Sequence, residues 1–207
     1  MIIRWSKLYV YLTCTVSSLM LMGCGQSSYS KRLYILDTNR QPEPGQAESH
    51  ATLEVRSFTI DSAFAGKGFV YRKSEYQYES DFYNQFLISP AIMVSEQTRH
   101  WLTRSGIFER INVPGSQLDS TYILEANITA LYADVRDKSS PRAVMELRAF
   151  LIDNDKNPES VVLGETYRAS SSLRSDTPDA FVEALDKCLV EVLTNLENDL
   201  KKVLAQS

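Results

Sequence analysis

Residue types that carry catalysis are scarce in this sequence. Among its 207 residues there are two histidines, His50 and His100, and three cysteines. No C-x-x-C, H-E-x-x-H or G-x-S-x-G pattern occurs, and these are spacings that metal sites, metalloproteases and hydrolases use. Gly66–Gly68 lacks the spacing of a phosphate-binding loop. The sequence therefore predicts a protein without a cofactor, without a metal site and without enzymatic activity.

One acidic segment begins like a calcium-binding loop but does not continue as one. Asp153, Asp155 and Asn157 occupy its first, third and fifth positions. Pro158 stands where such a loop needs glycine, and Gly164 stands where it needs glutamate. The segment is therefore predicted to be a polar turn between two strands.

Positive charge is also in short supply. Lysine and arginine total 22 and aspartate and glutamate total 26, which gives a formal net charge of −4. Because a mildly acidic surface repels a polyanion, nucleic acid is not an expected partner.

The apolar stretch at the N-terminus is too short and too polar for a membrane span. Leu8 to Met22 contains threonine and serine, and a spanning helix needs roughly 20 apolar residues. Arg4 and Lys7 precede the stretch, which is the charge pattern of an export signal. Residues 1–23 are therefore predicted to be a signal peptide.

The end of this segment, Leu21-Met22-Gly23-Cys24, resembles the lipobox of bacterial lipoproteins. The resemblance implies cleavage between Gly23 and Cys24 and attachment of acyl chains to Cys24. Two or more acyl chains anchor a protein stably to a bilayer. Gly25 occupies the place where aspartate usually marks retention in the inner membrane, so the outer membrane is the predicted location, with the domain facing the periplasm.

Cleavage would leave 184 residues with a net charge of −6, because the signal carries two basic residues and no acidic ones. Residues 24–32 are predicted to be a lipidated tether and residues 33–207 to be one domain. Cys14 would leave with the signal and Cys24 would be acylated. Only Cys188 would remain, so an intramolecular disulfide is excluded.

Alternation of apolar and polar residues predicts a series of β-strands. The predicted strands are 33–36, 53–61, 69–72, 76–79, 107–113, 122–135, 142–153 and 161–173. Phe58 departs from the alternation of the second strand. Short connections between the last three strands favour an antiparallel meander.

Two segments carry helix signals. Ser89 and Pro90 offer an N-cap and a proline at the first helical position, and Gly106 ends that helix. Thr177-Pro178 opens a longer helix, in which apolar residues recur at helical spacing from Phe181 to Val203. The predicted fold class is α+β, a single domain with an antiparallel sheet, two helices on one face and a long C-terminal helix.

Four stretches together resemble the auxiliary lipoproteins of ABC-type transport systems, a family that includes the paraquat-inducible membrane-integrity lipoprotein. They are Tyr34-Ile35-Leu36, Leu53 to Phe58 with an LxVxxF pattern, Phe69 to Arg72, and the tract from Phe86 to Phe108. One departure is Phe86-Leu87, where the family usually has Trp-Ala.

The resemblance implies a role in moving lipid between two membranes. Proteins similar to this one are accessory parts of transporters that contain mammalian-cell-entry (MCE) domain proteins. An MCE subunit of the inner membrane would be the partner, and the lipoprotein would receive it as a homo-oligomeric ring at the outer membrane.

Aromatic residues are unusually dense between Phe69 and Phe86. One interpretation is cross-strand packing and core. The other is a partner interface, since tyrosine and phenylalanine are favoured there. On that hypothesis Tyr83, Phe86, Leu87 and Ile88 form an exposed apolar loop that enters the first helix.

Two functions from different classes stay open at this point. One is the accessory component of a lipid transporter. The other is a solitary lipoprotein that holds an apolar molecule between its sheet and its helices. A closed core with an apolar outer patch favours the first, and a sizeable internal cavity favours the second.

Overall fold

Nine strands and two α-helices follow one another in a computed structural model that describes residues 30–38, 40–41, 49–156, 158 and 160–206. The predicted signal peptide, Cys24 and most of the tether lie outside the described residues. The strands are β1 (Arg32–Tyr34), β2 (Thr52–Val55), β3 (Thr59–Ile60), β4 (Gly68–Arg72), β5 (Tyr78–Phe86), β6 (Arg110–Asn112), β7 (Tyr122–Asp134), β8 (Arg142–Asp153) and β9 (Ser160–Ser172). A 3-10 helix, Ser62–Phe64, lies between β3 and β4.

Both predicted helices are present and begin at the predicted residues, and the first also ends where predicted. Helix α1 (Pro90–Ser105) starts with proline and ends at Gly106, whose φ of 69° is the left-handed conformation that glycine adopts without cost. Helix α2 (Pro178–Leu204) begins at Thr177, whose hydroxyl accepts a hydrogen bond from the Ala180 backbone N–H at 3.3 Å. Ser89 makes no such side-chain bond.

The sheet is organised around β7, which pairs with four other strands. The main path runs β1-β5-β4-β7-β2-β6, and β7 also pairs with β3 and β8, while β9 pairs with β8. The hairpins β4-β5 and β7-β8-β9 are antiparallel as predicted. All other pairings are parallel, so the sheet is mixed rather than wholly antiparallel.

Four of the five parallel pairings involve β1, β2 or β3, which are short and are joined to their partner strands through long connections. A long connection allows a strand to pair in either direction, whereas long strands joined by a short turn must run antiparallel. The α+β class, the single domain and the long C-terminal helix are confirmed.

One extra residue explains why Phe58 broke the predicted alternation. Val55 lies opposite Leu124, but Thr59 lies opposite Asn127, so the chain advances four residues from β2 to β3 where β7 advances three. This irregularity splits the predicted strand 53–61 into β2 and β3. It also turns Phe58 into the core, where it is buried.

The core lies between the sheet and the helices. Helix α2 packs on β8 and β9, and α1 packs on β2, β3 and β6. The inward residues of β8 and the stripe of α2 meet there, all of them buried: Ala143, Met145, Leu147, Ala149, Leu151, Leu185, Leu189, Val192, Leu193, Leu196 and Leu200. Within the described part of the chain, no helix is long and apolar enough to cross a membrane.

Candidate functional site

Exposed apolar side chains gather at the sheet edge formed by β1 and β5. We call this surface the apolar edge and define it as Leu33, Ile35, Phe82, Tyr83 and Leu87. Their side chains are 44–64% exposed. Large apolar residues of a soluble domain are usually buried, so a group of them at one edge indicates a binding surface.

Strand register explains how Leu33, Ile35 and Leu87 share a side. Strand β1 runs parallel to β5, with Leu33 opposite Gln85 and Tyr34 opposite Phe86. Side chains alternate along a strand, so Tyr34 and Phe86 face inward while their neighbours face outward. The rings of both inward residues pack on Phe69, with centroids 5.1 and 4.8 Å away.

A bulge in β5 brings Phe82 and Tyr83 to the same surface. Gly68 of β4 lies opposite Gln85 and Val70 lies opposite Ser80, so residues 81–84 have no partner in β4. The two aromatic rings project from this bulge and meet edge to face, with centroids 5.3 Å apart. Bulges of this kind redirect side chains away from the regular pleat.

The carboxylate of Asp81 holds the bulge together. It accepts hydrogen bonds from the backbone N–H groups of Tyr83 at 2.7 Å and Asn84 at 3.0 Å. It also accepts one from the Asn84 side-chain amide at 2.7 Å and one from the Tyr71 hydroxyl at 3.4 Å. Partial burial alone would raise the pKa of Asp81, but these hydrogen bonds outweigh burial and hold the pKa below its usual value.

Gly68 is required where β4 passes the bulge. A Cβ atom at this position would lie 2.5 Å from the backbone oxygen of Asp81 and 2.5 Å from Ser80 Oγ. The backbone oxygen cannot move without displacing the bulge. The glycine therefore makes room for the segment that presents the two aromatic rings.

We expect Gly68→Ala to lower the free energy of unfolding by about 1–3 kcal/mol, because overpacking against backbone is not relieved by side-chain movement. Urea unfolding measures this. Gly66→Ala is the matched control, because a Cβ there meets nothing within 4 Å, and it should change the free energy by less than about 0.5 kcal/mol. Equal stability of the two variants would contradict the role assigned to Gly68.

Two basic side chains contact residues of the apolar edge. The Lys31 ammonium lies 4.3 Å from the centre of the Phe82 ring. Lys67 donates to the backbone oxygen of Leu87 at 2.9 Å. We call these two residues the basic rim, and their sign is opposite to the net charge of the chain.

The segment after β1 is tied to both helices, which fixes the position of the edge strand. The Leu36 N–H contacts Met93 Sδ of α1 at 3.2 Å, and the Asp37 N–H donates to Asp186 Oδ1 of α2 at 3.0 Å. Burial raises the pKa of Asp186 to about 6, although the hydrogen bond from Asp37 acts in the opposite direction.

Asp186 should therefore make stability fall as pH rises. Its folded pKa lies above the unfolded value of 3.8, so the folded state binds the proton more tightly, and this stabilisation is lost as pH rises through about 6. We expect Asp186→Asn, which keeps an acceptor oxygen, to be more stable than the parent at pH 7.5. The gain should be on the order of 1 kcal/mol after discounting for partial exposure.

Urea unfolding of the parent and Asp186→Asn across this pH range tests the sign. The difference between the two should shrink toward zero well below pH 3.8, where the aspartate is protonated in both states. A variant that is less stable than the parent at neutral pH would show that the carboxylate is favourable when charged.

The structure separates the four residues of the predicted interface. Tyr83 and Leu87 are 44% and 49% exposed and belong to the apolar edge, and Ile88 is partly buried against the core. Phe86 is 2% exposed, so its assignment to an exposed loop was wrong. The segment continues as β5 through Phe86 instead of forming a loop, and strand alternation turns that ring inward.

A buried charge cluster joins the loop after β1 to both helices. Glu197 of α2 accepts a hydrogen bond from Trp101 Nε1 at 2.8 Å and pairs with the guanidinium of Arg40 and with Lys201. The Arg40 guanidinium also stacks 4.7 Å from the Trp101 ring centre. These contacts join a loop and two helices, which fits a structural tie between elements.

The residues that could support catalysis are not brought together. Within the described ranges, no three histidine, cysteine, aspartate or glutamate side chains form a metal-binding group. His50 and His100 are both exposed. Asp153, from the segment compared with a calcium loop, has its carboxylate 2.9 Å from the Lys156 ammonium.

One cleft has a polar lining and a volume of about 500 Å³. It is lined by Arg72, Arg136, Arg142, Arg168, Asp134 and Glu191 with Tyr132 and Val144. Its charged lining is unlike the apolar pocket that the ligand-binding hypothesis requires.

Comparison with known proteins identifies the family. Residues 34–196 match the family model described as "ABC-type transport auxiliary lipoprotein component". No curated protein matches the chain.

Solved structures share the fold at low sequence identity. A protein of Xanthomonas campestris is 18% identical with a TM-score of 0.74, over 84% of this chain and 98% of its own. A hypothetical protein of Chlamydia trachomatis is 13% identical with a TM-score of 0.54, over 77% of this chain and all of its own. These likenesses concern the fold, and the family match is what assigns the chain: it belongs to the ABC-type transport auxiliary lipoproteins.

Proposed function

We propose that this protein is an accessory component of an MCE-type ABC lipid transport system. It is anchored in the outer membrane through Cys24, faces the periplasm, and works by docking rather than by catalysis. The observation that carries the proposal is the family match over residues 34–196, which relates the chain to ABC-type transport.

The packing of the core favours docking over storage of an apolar ligand. Between Leu185 and Leu200, the residues of α2 that face the sheet have at most 1% of their surface exposed, apart from Glu197 at 5%. Side chains packed in this way leave little space for a second molecule. The ligand-binding alternative would need this interface to open.

Strand β9 supports assembly into a ring of copies. It is 13 residues long and pairs, within the described sheet, with β8 alone. A long edge strand offers backbone donors and acceptors to another chain. A head-to-tail contact that closes on itself produces a ring.

We expect the full-length lipoprotein to co-purify with an MCE subunit when envelope membranes are dissolved in mild detergent, and Cys24→Ser to lose this association. Loss of the acyl chains removes the two-chain anchor and releases the protein into the periplasm. Mass spectrometry of the N-terminal peptide measures acylation, and membrane fractionation measures anchoring. Identification of the co-purified proteins measures association with the transporter.

Cys188→Ser is the matched control. It replaces a buried cysteine inside the domain and leaves residue 24 intact, so it should remain in the outer-membrane fraction. An unmodified thiol at Cys24 would refute the anchor. An acylated protein that purifies without any transporter subunit would refute the accessory role and favour the solitary ligand-binding lipoprotein.

A further inference from the structure

We infer that the apolar edge and its basic rim rest on the lipid bilayer that holds the anchor, so that the folded domain itself contacts an anionic membrane surface. This inference rests on the proposed lipid anchor at Cys24. It adds a second membrane contact, made by the protein, and it fixes which side of the domain faces the membrane.

The length of the tether restricts where the membrane can be. Seven peptide units separate Cys24 from Lys31, the residue that precedes β1. A fully extended chain of this length spans at most about 25 Å. The acylated cysteine sits at the membrane surface, so Lys31, the residue that leads into β1, cannot lie farther away than this.

The side chains nearest the end of the tether are the exposed apolar ones. Leu33 and Ile35 are the second and fourth residues after Lys31, and both are more than half exposed. Phe82 lies under the Lys31 ammonium itself. The apolar edge therefore begins at the point where the chain arrives from the membrane.

The chemistry of the surface fits the membrane–water interface. Leucine and phenylalanine bury their carbons among acyl chains, and tyrosine places an apolar ring there while its hydroxyl stays in water. Lysine and arginine reach past such residues toward phosphate groups. The chain as a whole has a net charge of −4 and would be repelled by anionic lipid. Attraction to anionic lipid therefore comes from the basic rim.

The geometry also favours the bilayer over a transporter subunit as the occupant. A subunit from the inner membrane approaches the domain from the periplasm, which is the side away from the anchor. The short tether keeps the start of the apolar edge within about 25 Å of its own membrane. Contacts of Asp81 within the bulge, and of Asp186 and Met93 with the segment after β1, hold the edge on the domain.

Fluorescence quenching on the full-length acylated protein tests the inference. Leu87→Cys is labelled with a fluorophore, and the protein is reconstituted into vesicles of phosphatidylethanolamine and phosphatidylglycerol that contain a lipid with a nitroxide quencher near the headgroup. Leu118→Cys is the matched control, because Leu118 is also an exposed leucine, at 57%, in the loop after β6. Cys188 stays unlabelled, since burial raises the pKa of its thiol to about 12.

We expect quenching to be several-fold stronger at position 87 than at position 118, and to weaken when phosphatidylcholine replaces both lipids. Similar quenching at the two positions, whether strong or weak, would overturn the inference. Protection of position 87 by an added transporter subunit, without quenching by lipid, would also overturn it and assign the edge to a protein partner. Mass spectrometry of the same sample separates the two proposals: an unmodified Cys24 refutes the anchor, whereas an acylated Cys24 with similar quenching refutes the membrane contact alone.

Discussion

Glu197→Ala is expected to lower the free energy of unfolding by about 3–5 kcal/mol, because removing one partner of a buried ion pair leaves the other charge without compensation. Glu197 is 5% exposed. Its carboxylate receives the Arg40 guanidinium through both terminal nitrogens, one of them at 3.3 Å from Oε1. It also accepts the Trp101 N–H at 2.8 Å.

Two further changes separate the contributions to this cluster. Glu197→Gln keeps the shape and an acceptor for Trp101 but removes the charge, so its loss should be smaller than that of alanine. Glu191→Ala removes an exposed carboxylate from the same helix and should change stability by less than about 0.5 kcal/mol. Because residue 197 contacts Trp101, unfolding should be followed by circular dichroism rather than by tryptophan fluorescence.

Salt dependence gives an independent check on the same cluster. Ion pairs that are shielded from water are screened much less than exposed ones. The difference between the parent and Glu197→Ala should therefore persist when sodium chloride is added. A difference that disappears in salt, or one below about 1 kcal/mol, would indicate a surface pair of the ordinary weak kind.

This cluster was beyond the reach of sequence reasoning. Glu197 stands inside the apolar stretch of α2, next to Leu196, and no local pattern shows what it contacts. Its main partner, Arg40, is 157 residues away in a proline-rich connection. Only the folded chain brings a loop residue over the ring of Trp101 and against the second helix.

The elements with strong local signals were predicted closely. Helix α1 begins and ends where its caps indicated, α2 begins where its N-cap indicated, and strand β8 has the predicted bounds, because regular alternation and turn residues act over short distances. The short strands β1, β2 and β3 were predicted as members of an antiparallel sheet. Their direction depends on which long strand they join, and pairing between distant segments leaves no trace in their own residues.

The apolar edge was predicted only in part. The density of aromatics and the residues Tyr83 and Leu87 pointed to this region, but the bulge at Asp81 that redirects Phe82 and Tyr83 was missed. A signal was present: Asp81 precedes Asn84 by three residues, a spacing at which an aspartate accepts hydrogen bonds from the following backbone. Gly68, which makes the bulge possible, lies on the partner strand and has no local signature.

Phe86 and Tyr83 should respond to mutation in opposite ways. Phe86→Ala is expected to lower the free energy of unfolding by about 3–5 kcal/mol, the usual cost of deleting a buried phenylalanine ring. The ring is buried and packs 4.8 Å from Phe69, which in turn contacts Phe181 of α2 at 5.1 Å. A cavity at this position would therefore loosen the contact between the sheet edge and the long helix.

Tyr83→Ala, by contrast, is expected to leave stability within about 0.5 kcal/mol of the parent and to weaken whatever binds the apolar edge. Its ring is 44% exposed and meets the ring of Phe82 edge to face. Urea unfolding measures the first effect, and vesicle binding with transporter co-purification measures the second. A Phe86→Ala protein that is as stable as the parent but fails to bind would contradict this assignment. It would show that Phe86 is an exposed residue of the interface, because deleting a buried ring lowers stability. Strand β5 therefore has two separable roles. The face that carries Phe86 stabilises the core, and the face that exposes Tyr83 binds.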